Sequence, residues 1–149
     1  MSKAAPRNVT AQVVVGVLLL LCGIAIYLLF RSRSITLYQW CISIGLSAPL
    51  EVLRADVQHW IIPDFVKFSL PDGLYGASYI LLMDAVWNNS QRLIRIMAAS
   101  LIPLVAIIHE MLQGLGLAKG TFDAADLLCY SVPLALYLWR ERNQNSAIF

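Results

Sequence analysis

Charge is scarce in this chain. Of its 149 residues only 13% are Asp, Glu, Lys or Arg, while 59% are hydrophobic, against roughly 25% charged residues in an ordinary soluble domain. A water-soluble fold of this size has too little interior to hide so much apolar surface. The net charge is only +2, and the basic residues stand in pairs between apolar runs instead of forming a patch, which excludes a nucleic-acid partner. Histidine is limited to His59 and His109, too few and too far apart for a Ser-His-Asp or Cys-His nucleophile. Cys22, Cys41 and Cys129 lie inside separate apolar runs without metal-ligand spacing and read as small buried residues. Glycine-rich phosphate loops, internal repeats and low-complexity tracts are also missing, so the sequence implies no cofactor and no metal.

Long apolar runs are what the chain has in abundance. A membrane-spanning helix needs about 20 mostly apolar residues, and five segments approach that length: 11–30, 35–53, 71–87, 94–115 and 124–139. The expected fold is all-α, a single polytopic helix bundle of four to five spans with the lipid bilayer as its main partner. The first run follows Lys3 and Arg7 but is too long for a signal-peptide core and lacks a small-residue cleavage site, so it reads as a retained anchor. Residues 35–53 are the doubtful span, because Pro49 interrupts them and Glu51 and Arg54 close them; a re-entrant or interfacial segment is the alternative.

Basic residues beside spans favour the cytoplasmic side. In a five-span arrangement the pairs Arg31/Arg33, Arg92/Arg95 and Arg140/Arg142 share that side with Trp40, Trp87 and Trp139. In a four-span arrangement Lys3 and Arg7 replace the first pair. Clustering favours five spans. Both arrangements make the C-terminus cytoplasmic and bring Asp72, Glu110 and Asp123 to the outer face, with the amphipathic stretch from Arg54 to Leu70 lying along the bilayer surface.

The unusual polar residues sit in the C-terminal half. Glu110 and Gln113 share one helix face, and Glu110 falls ~24 Å along a span begun near Ile94, short of the boundary of a ~30 Å apolar core. A carboxylate there needs a partner or a proton, and Gln113 is the expected companion. Asp123 with Asp126, and Ser69 with Asp72, have the spacing of an N-cap and N3 pair, and capping alone accounts for all four. Their convergence with Glu110 on one face nevertheless marks Asp72, Glu110, Gln113, Asp123 and Asp126 as a candidate polar binding cluster. His109-Glu110-x-x-Gln113 lacks the second imidazole of the H-E-x-x-H zinc signature. Asp84 reads as a snorkelling or helix-packing residue.

At Glu110-x-x-Gln113, Gly120-Thr121-Phe122-Asp123-x-x-Asp126-Leu127 and Tyr130, with Asp72 and Tyr79 in an earlier span, the sequence resembles the VanZ-like family of small bacterial membrane proteins. The resemblance covers roughly Leu70 to Trp139. It implies a multi-pass protein of the bacterial inner membrane with its polar cluster facing outward. The leading expectation is a non-enzymatic protein that binds an envelope lipid, a glycopeptide-type antibiotic or a membrane partner protein there. A small enzyme acting on an envelope lipid, with Glu110 as general base and the aspartates on a divalent cation, and a structural subunit of a membrane complex are the alternatives.

Overall fold

The computed structural model describes residues 8–57 and 59–146. Lys3 and Arg7, used above to weigh orientation, lie outside them. Among the described residues there are seven helices and no strand: α1 (Val9–Phe30), α2 (Thr36–Ser43), α3 (Ser47–Val57), α4 (Asp64–Phe68), α5 (Leu70–Val86), α6 (Arg92–Gly114) and α7 (Ala124–Ser146). Two of them, α1 and α6, are long and apolar enough to cross a membrane.

Asn8 starts α1 by accepting the Ala11 N–H on its side-chain oxygen, the usual service of an N-cap amide. Helix α1 then runs antiparallel to α5, and small residues set how closely they approach. A Cβ on Gly16 would meet the Leu82 side chain at 3.0 Å, and one on Gly23 would meet the Pro71 carbonyl at 3.3 Å. Helices α5 and α7 lie parallel, pressed together where a Cβ on Gly73 would fall 3.1 Å from that of Cys129. Helix α6 runs opposite to both; Tyr79 Oη donates to the Ala98 carbonyl across the α5/α6 seam. Ile80, Ala99, Leu134 and Tyr137 form the apolar centre of this three-helix part.

The bundle therefore has two ends. The first carries the start of α5, the end of α6, the start of α7 and the end of α1; the second carries the start of α1, the α5–α6 turn and the end of α7.

Residues 35–53, expected to cross as one helix, form two short helices instead. The chain breaks at Gly45, whose φ of +82° is a left-handed conformation that favours glycine, and Leu46 N–H returns to the Cys41 carbonyl. Pro49 falls in the first turn of α3, where a missing N–H costs nothing. The segment is then pinned to the end of α1. Arg54 donates to the Leu28 and Arg31 carbonyls at 2.6 and 2.7 Å, and Arg33 grips Glu51 through Nε and Nη2. Residues 35–53 thus provide no single helix of spanning length, in keeping with the re-entrant or interfacial alternative. Arg31, Arg33 and Trp40 belong to the first end, opposite Arg92, Arg95, Arg140, Trp87 and Trp139.

Two smaller expectations also change. Cys22 is exposed on the protein surface and Cys41 and Cys129 are half-buried free thiols, so they are not the buried residues expected. Ser69 is buried but makes no side-chain cap to α5, because α4 leads into α5 almost without a break.

Candidate functional site

The final turn of α6 and the first turn of α7 are joined by a loop that turns at Gly116 (φ +70°) and Gly120 (φ +127°). Glu110, 7% exposed, closes it: its Oε1 accepts the Asp123 N–H at 2.6 Å. Asp123 in turn accepts the Ala125 N–H at 2.8 Å on Oδ1, so its N-cap reading holds. Gln113 does not turn to Glu110 as expected. Its amide donates to the Lys119 carbonyl at 3.1 Å and faces His109 Nδ1 at 3.4 Å, and it fills the space a side chain on Gly120 would need. Glu110, Gln113 and Asp123 therefore shape the loop, satisfying backbone groups that a helix end leaves open.

Beside this lock lies a second tier. Asp72, in the first turn of α5, hydrogen-bonds Tyr130 and has the Asp126 and Glu110 carboxylates and the Arg31 guanidinium as charged neighbours. Asp126 Oδ1 is buried without a hydrogen-bond partner. Arg31 reaches in from the end of α1, donating to the Phe68 carbonyl and lying over the Tyr27 and Phe68 rings at 5.1 and 5.0 Å; its Nε is likewise buried and unpartnered. A cavity of about 240 Å³ between α1 and α5 opens against Asp72, walled by Gly23, Ile24, Tyr27, Pro71 and Tyr75. Of the five residues expected to converge, all reach this end, but only Asp72 lines the cavity, Asp126 is the charged neighbour of Asp72 with a buried oxygen, and the other three serve the loop. Tyr130 entered the sequence reading only through the family resemblance, although it stands four residues after Asp126, on the same helix face. In the sequence alone Arg31 carries no signal beyond its place beside a span. Among the described residues no three His, Cys, Asp or Glu side chains are arranged to hold a metal ion.

The opposite end holds a cluster the sequence reading did not foresee. Asp84 is 0% exposed and accepts hydrogen bonds from Gln12 Nε2 at 2.6 Å and Tyr137 Oη at 3.1 Å, with the Arg95 guanidinium as an ion-pair neighbour at 3.1 Å and that of Arg140 at 3.8 Å. Arg95 also donates to Glu141 Oε2 at 2.8 Å, and Arg92 donates to the Glu141 carbonyl at 2.6 Å. One polar knot thus ties α1, α5, α6 and α7. Asp84 is a helix-packing residue, as expected, but through charge. Its signal in the sequence was an acid within an apolar run, one of the few such positions.

Comparison of the chain with protein-family models, with curated proteins and with solved structures returns no match.

Proposed function

We propose that this is a four-span membrane protein, with α1, α5, α6 and α7 crossing the bilayer and both chain ends in the cytoplasm. Its outward end would receive a cationic or hydrogen-bond-donating group of an envelope ligand at Asp72, which lines the cavity between α1 and α5 and has Asp126 and Tyr130 as neighbours. The observation that carries the membrane reading is an inverted distribution of polarity. Val14, Leu18, Leu21, Leu101, Val105 and Leu136 are exposed on the bundle surface, whereas Asp84, Arg95 and Glu141 are sealed within it. Water selects the opposite arrangement, and a hydrocarbon solvent selects this one.

Orientation follows from the basic residues. Arg92 with Arg95 and Arg140 with Arg142 form tight pairs at the second end, and Lys3 and Arg7 precede α1 in the sequence, whereas Arg31, Arg33, Arg54, Lys67 and Lys119 are spread through the first end; the totals are close, and the clustering supports a cytoplasmic assignment for the second. The VanZ-like resemblance supports a bacterial inner membrane and an outward site, and rests on the motif residues alone.

The ligand reading rests on Asp126, whose buried oxygen lacks a donor beside a second carboxylate on Asp72. Such a group is costly unless a partner arrives. Because Glu110 already satisfies a backbone N–H, the ligand-binding role moves from Glu110 to Asp72, Asp126 and Tyr130.

The test has two arms. The protein is expected to stay in the membrane pellet after alkaline carbonate washing, and in a background without native cysteines, Lys119→Cys should label from outside and Asn143→Cys only after permeabilisation. Release by carbonate, labelling of both positions from outside, or labelling of Asn143→Cys alone from outside sinks the topology. Asp126→Asn should abolish the phenotype of a complemented deletion strain at unchanged protein abundance; full complementation removes the ligand site.

A further inference from the structure

A second cavity, of about 430 Å³, opens at the first end, away from the Asp72 recess. It lies between the last turn of α1, helix α3 and helix α4, and Arg33, Arg54, Lys67 and Glu51 line it together with Phe30 and Trp60. Three cations thus face one carboxylate. The volume is in the range of small-molecule sites. From Arg33, Arg54, Lys67, Trp60 and the exposed apolar rim beside them, we infer that this cavity binds the phosphate group of an anionic lipid headgroup at the outer membrane surface. The inference rests on the membrane reading above.

Three observations carry it. First, the cations are held in place before any ligand arrives. Arg54 is anchored on the Leu28 and Arg31 carbonyls and stacked over Tyr38 at 5.2 Å, and Arg33 is fixed by Glu51 through only two of its donor nitrogens, leaving further guanidinium hydrogens for an acceptor. Lys67 is held more loosely, 3.5 Å from Asp64, and its three ammonium donors suit a phosphate oxygen.

Second, the rim is apolar and turned outward. Trp60 and Ile61 are exposed, Ile61 completely, and Phe65 and Phe68 of α4 are exposed with them. An interfacial segment dips such residues among acyl chains while its basic residues meet the headgroups. Third, the cavity begins where the apolar length of α1 ends, at Leu29 and Phe30, the depth at which a headgroup sits when the chain beside it packs on α1.

Glu51 distinguishes this site from a mere surface ion cluster. Among the described residues it is the one carboxylate lining the cavity, so removing its charge should tighten binding, whereas a structural role alone would leave binding unchanged or weaken it. The experiment uses the full chain purified in zwitterionic detergent and counts retained lipid by native mass spectrometry during titration with phosphatidylglycerol, phosphatidylcholine or inorganic phosphate. The expected result is one saturable phosphatidylglycerol per chain, retained well above phosphatidylcholine. Lys67→Gln should weaken it by about fivefold and Glu51→Gln should tighten it by a similar factor, the effect of one charge at a membrane surface.

Competition by millimolar inorganic phosphate assigns the site to free phosphate instead of lipid and overturns the headgroup assignment. Equal retention of the two lipids, or retention unmoved by both substitutions, overturns the anion site altogether. Helix content measured on each variant guards against misfolding. Because the membrane reading is tested separately by carbonate washing, a protein that stays in the membrane yet shows no charge-dependent retention refutes this inference alone.

Discussion

Arg95 Nε stands 3.1 Å from Asp84 Oδ1, the arginine 11% and the aspartate 0% exposed at their side chains, so the pair joins α5 to α6 where water barely reaches. Gln12 and Tyr137 donate hydrogen bonds to the same aspartate, and Glu141 balances the arginine from α7. Breaking a buried pair from one side leaves an uncompensated charge. Arg95→Met should therefore lower stability by about 3–5 kcal/mol, while the joint change Arg95→Met with Asp84→Leu should recover only part of that loss, because Glu141 still lacks the arginine and Gln12 and Tyr137 lose their acceptor. Thermal unfolding in detergent micelles measures both.

Two glycines that look alike in sequence should respond differently to alanine. At Gly73 the added methyl meets the Cys129 Cβ at 3.1 Å and carbonyl at 3.3 Å, and backbone cannot step aside. Gly73→Ala is expected to cost about 1–3 kcal/mol through overpacking. At Gly16 the obstacles are Cγ and Cδ2 of the Leu82 side chain, both at 3.0 Å, which can shift by a few tenths of an ångström as backbone cannot, and helix propensity returns up to about 1 kcal/mol. Gly16→Ala should leave the unfolding midpoint nearly unchanged.

Glu110 separates its structural use from any ligand use by the choice of substitution. Glu110→Gln keeps a side-chain oxygen for the Asp123 N–H, whereas Glu110→Ala orphans that donor and should cost about 1–3 kcal/mol. The midpoints of the two variants, compared with wild type, show the difference. Asp126→Asn, by contrast, removes charge from a carboxyl with an unpaired buried oxygen, and is expected to leave stability unchanged or raise it, as happens where a site is built at the expense of the fold.

Glu51 gives the first end a defined acid sensitivity. The hydrogen bonds of Arg33, then that of Tyr38, hold its carboxyl down to about 2 from a usual 4.5, while the same pairing pushes the Arg33 guanidinium further up. A depressed carboxyl pKa contributes stability that is complete above the unfolded value and disappears as pH falls through the folded one. Unfolding midpoints should thus decline between about pH 4.5 and 2 in the wild type, with a visibly smaller decline in Glu51→Gln.

How much of this was readable beforehand depended on the distance over which each feature is determined. The helical content and the apolar lengths of α1 and α6 follow from local composition, and the gathering of Asp72, Glu110 and Asp126 at one end follows from three consecutive helices alternating in direction. The break at Gly45 did not announce itself, because residues 35–53 are apolar enough to cross and only the anchoring of Arg54 and Glu51 back onto α1 shows why they turn. Asp84 and Arg95 form a pair set by the register of α5 against α6, and Gln12 joins them from 72 residues away; no periodicity carries such information. Helix-face geometry points Gln113 at Glu110, yet the glycine at position 120 leaves room for the loop to take its amide.

The knot at Asp84 also imposes an order in time. A ribosome releases the chain from its N-terminus at about 5–20 residues per second, so Gln12, 72 residues ahead of Asp84, waits roughly 4–14 s for its acceptor. Asp84 then waits for Tyr137, 53 residues later, or roughly 3–11 s more. Arg95 emerges within that interval, so the aspartate gains its first cation before its last hydrogen bond. Assembly of the four long helices is complete only when the final one has been made, and a ribosome that stops before α7 leaves Asp84 without Tyr137, Arg140 and the balancing carboxylate of Glu141.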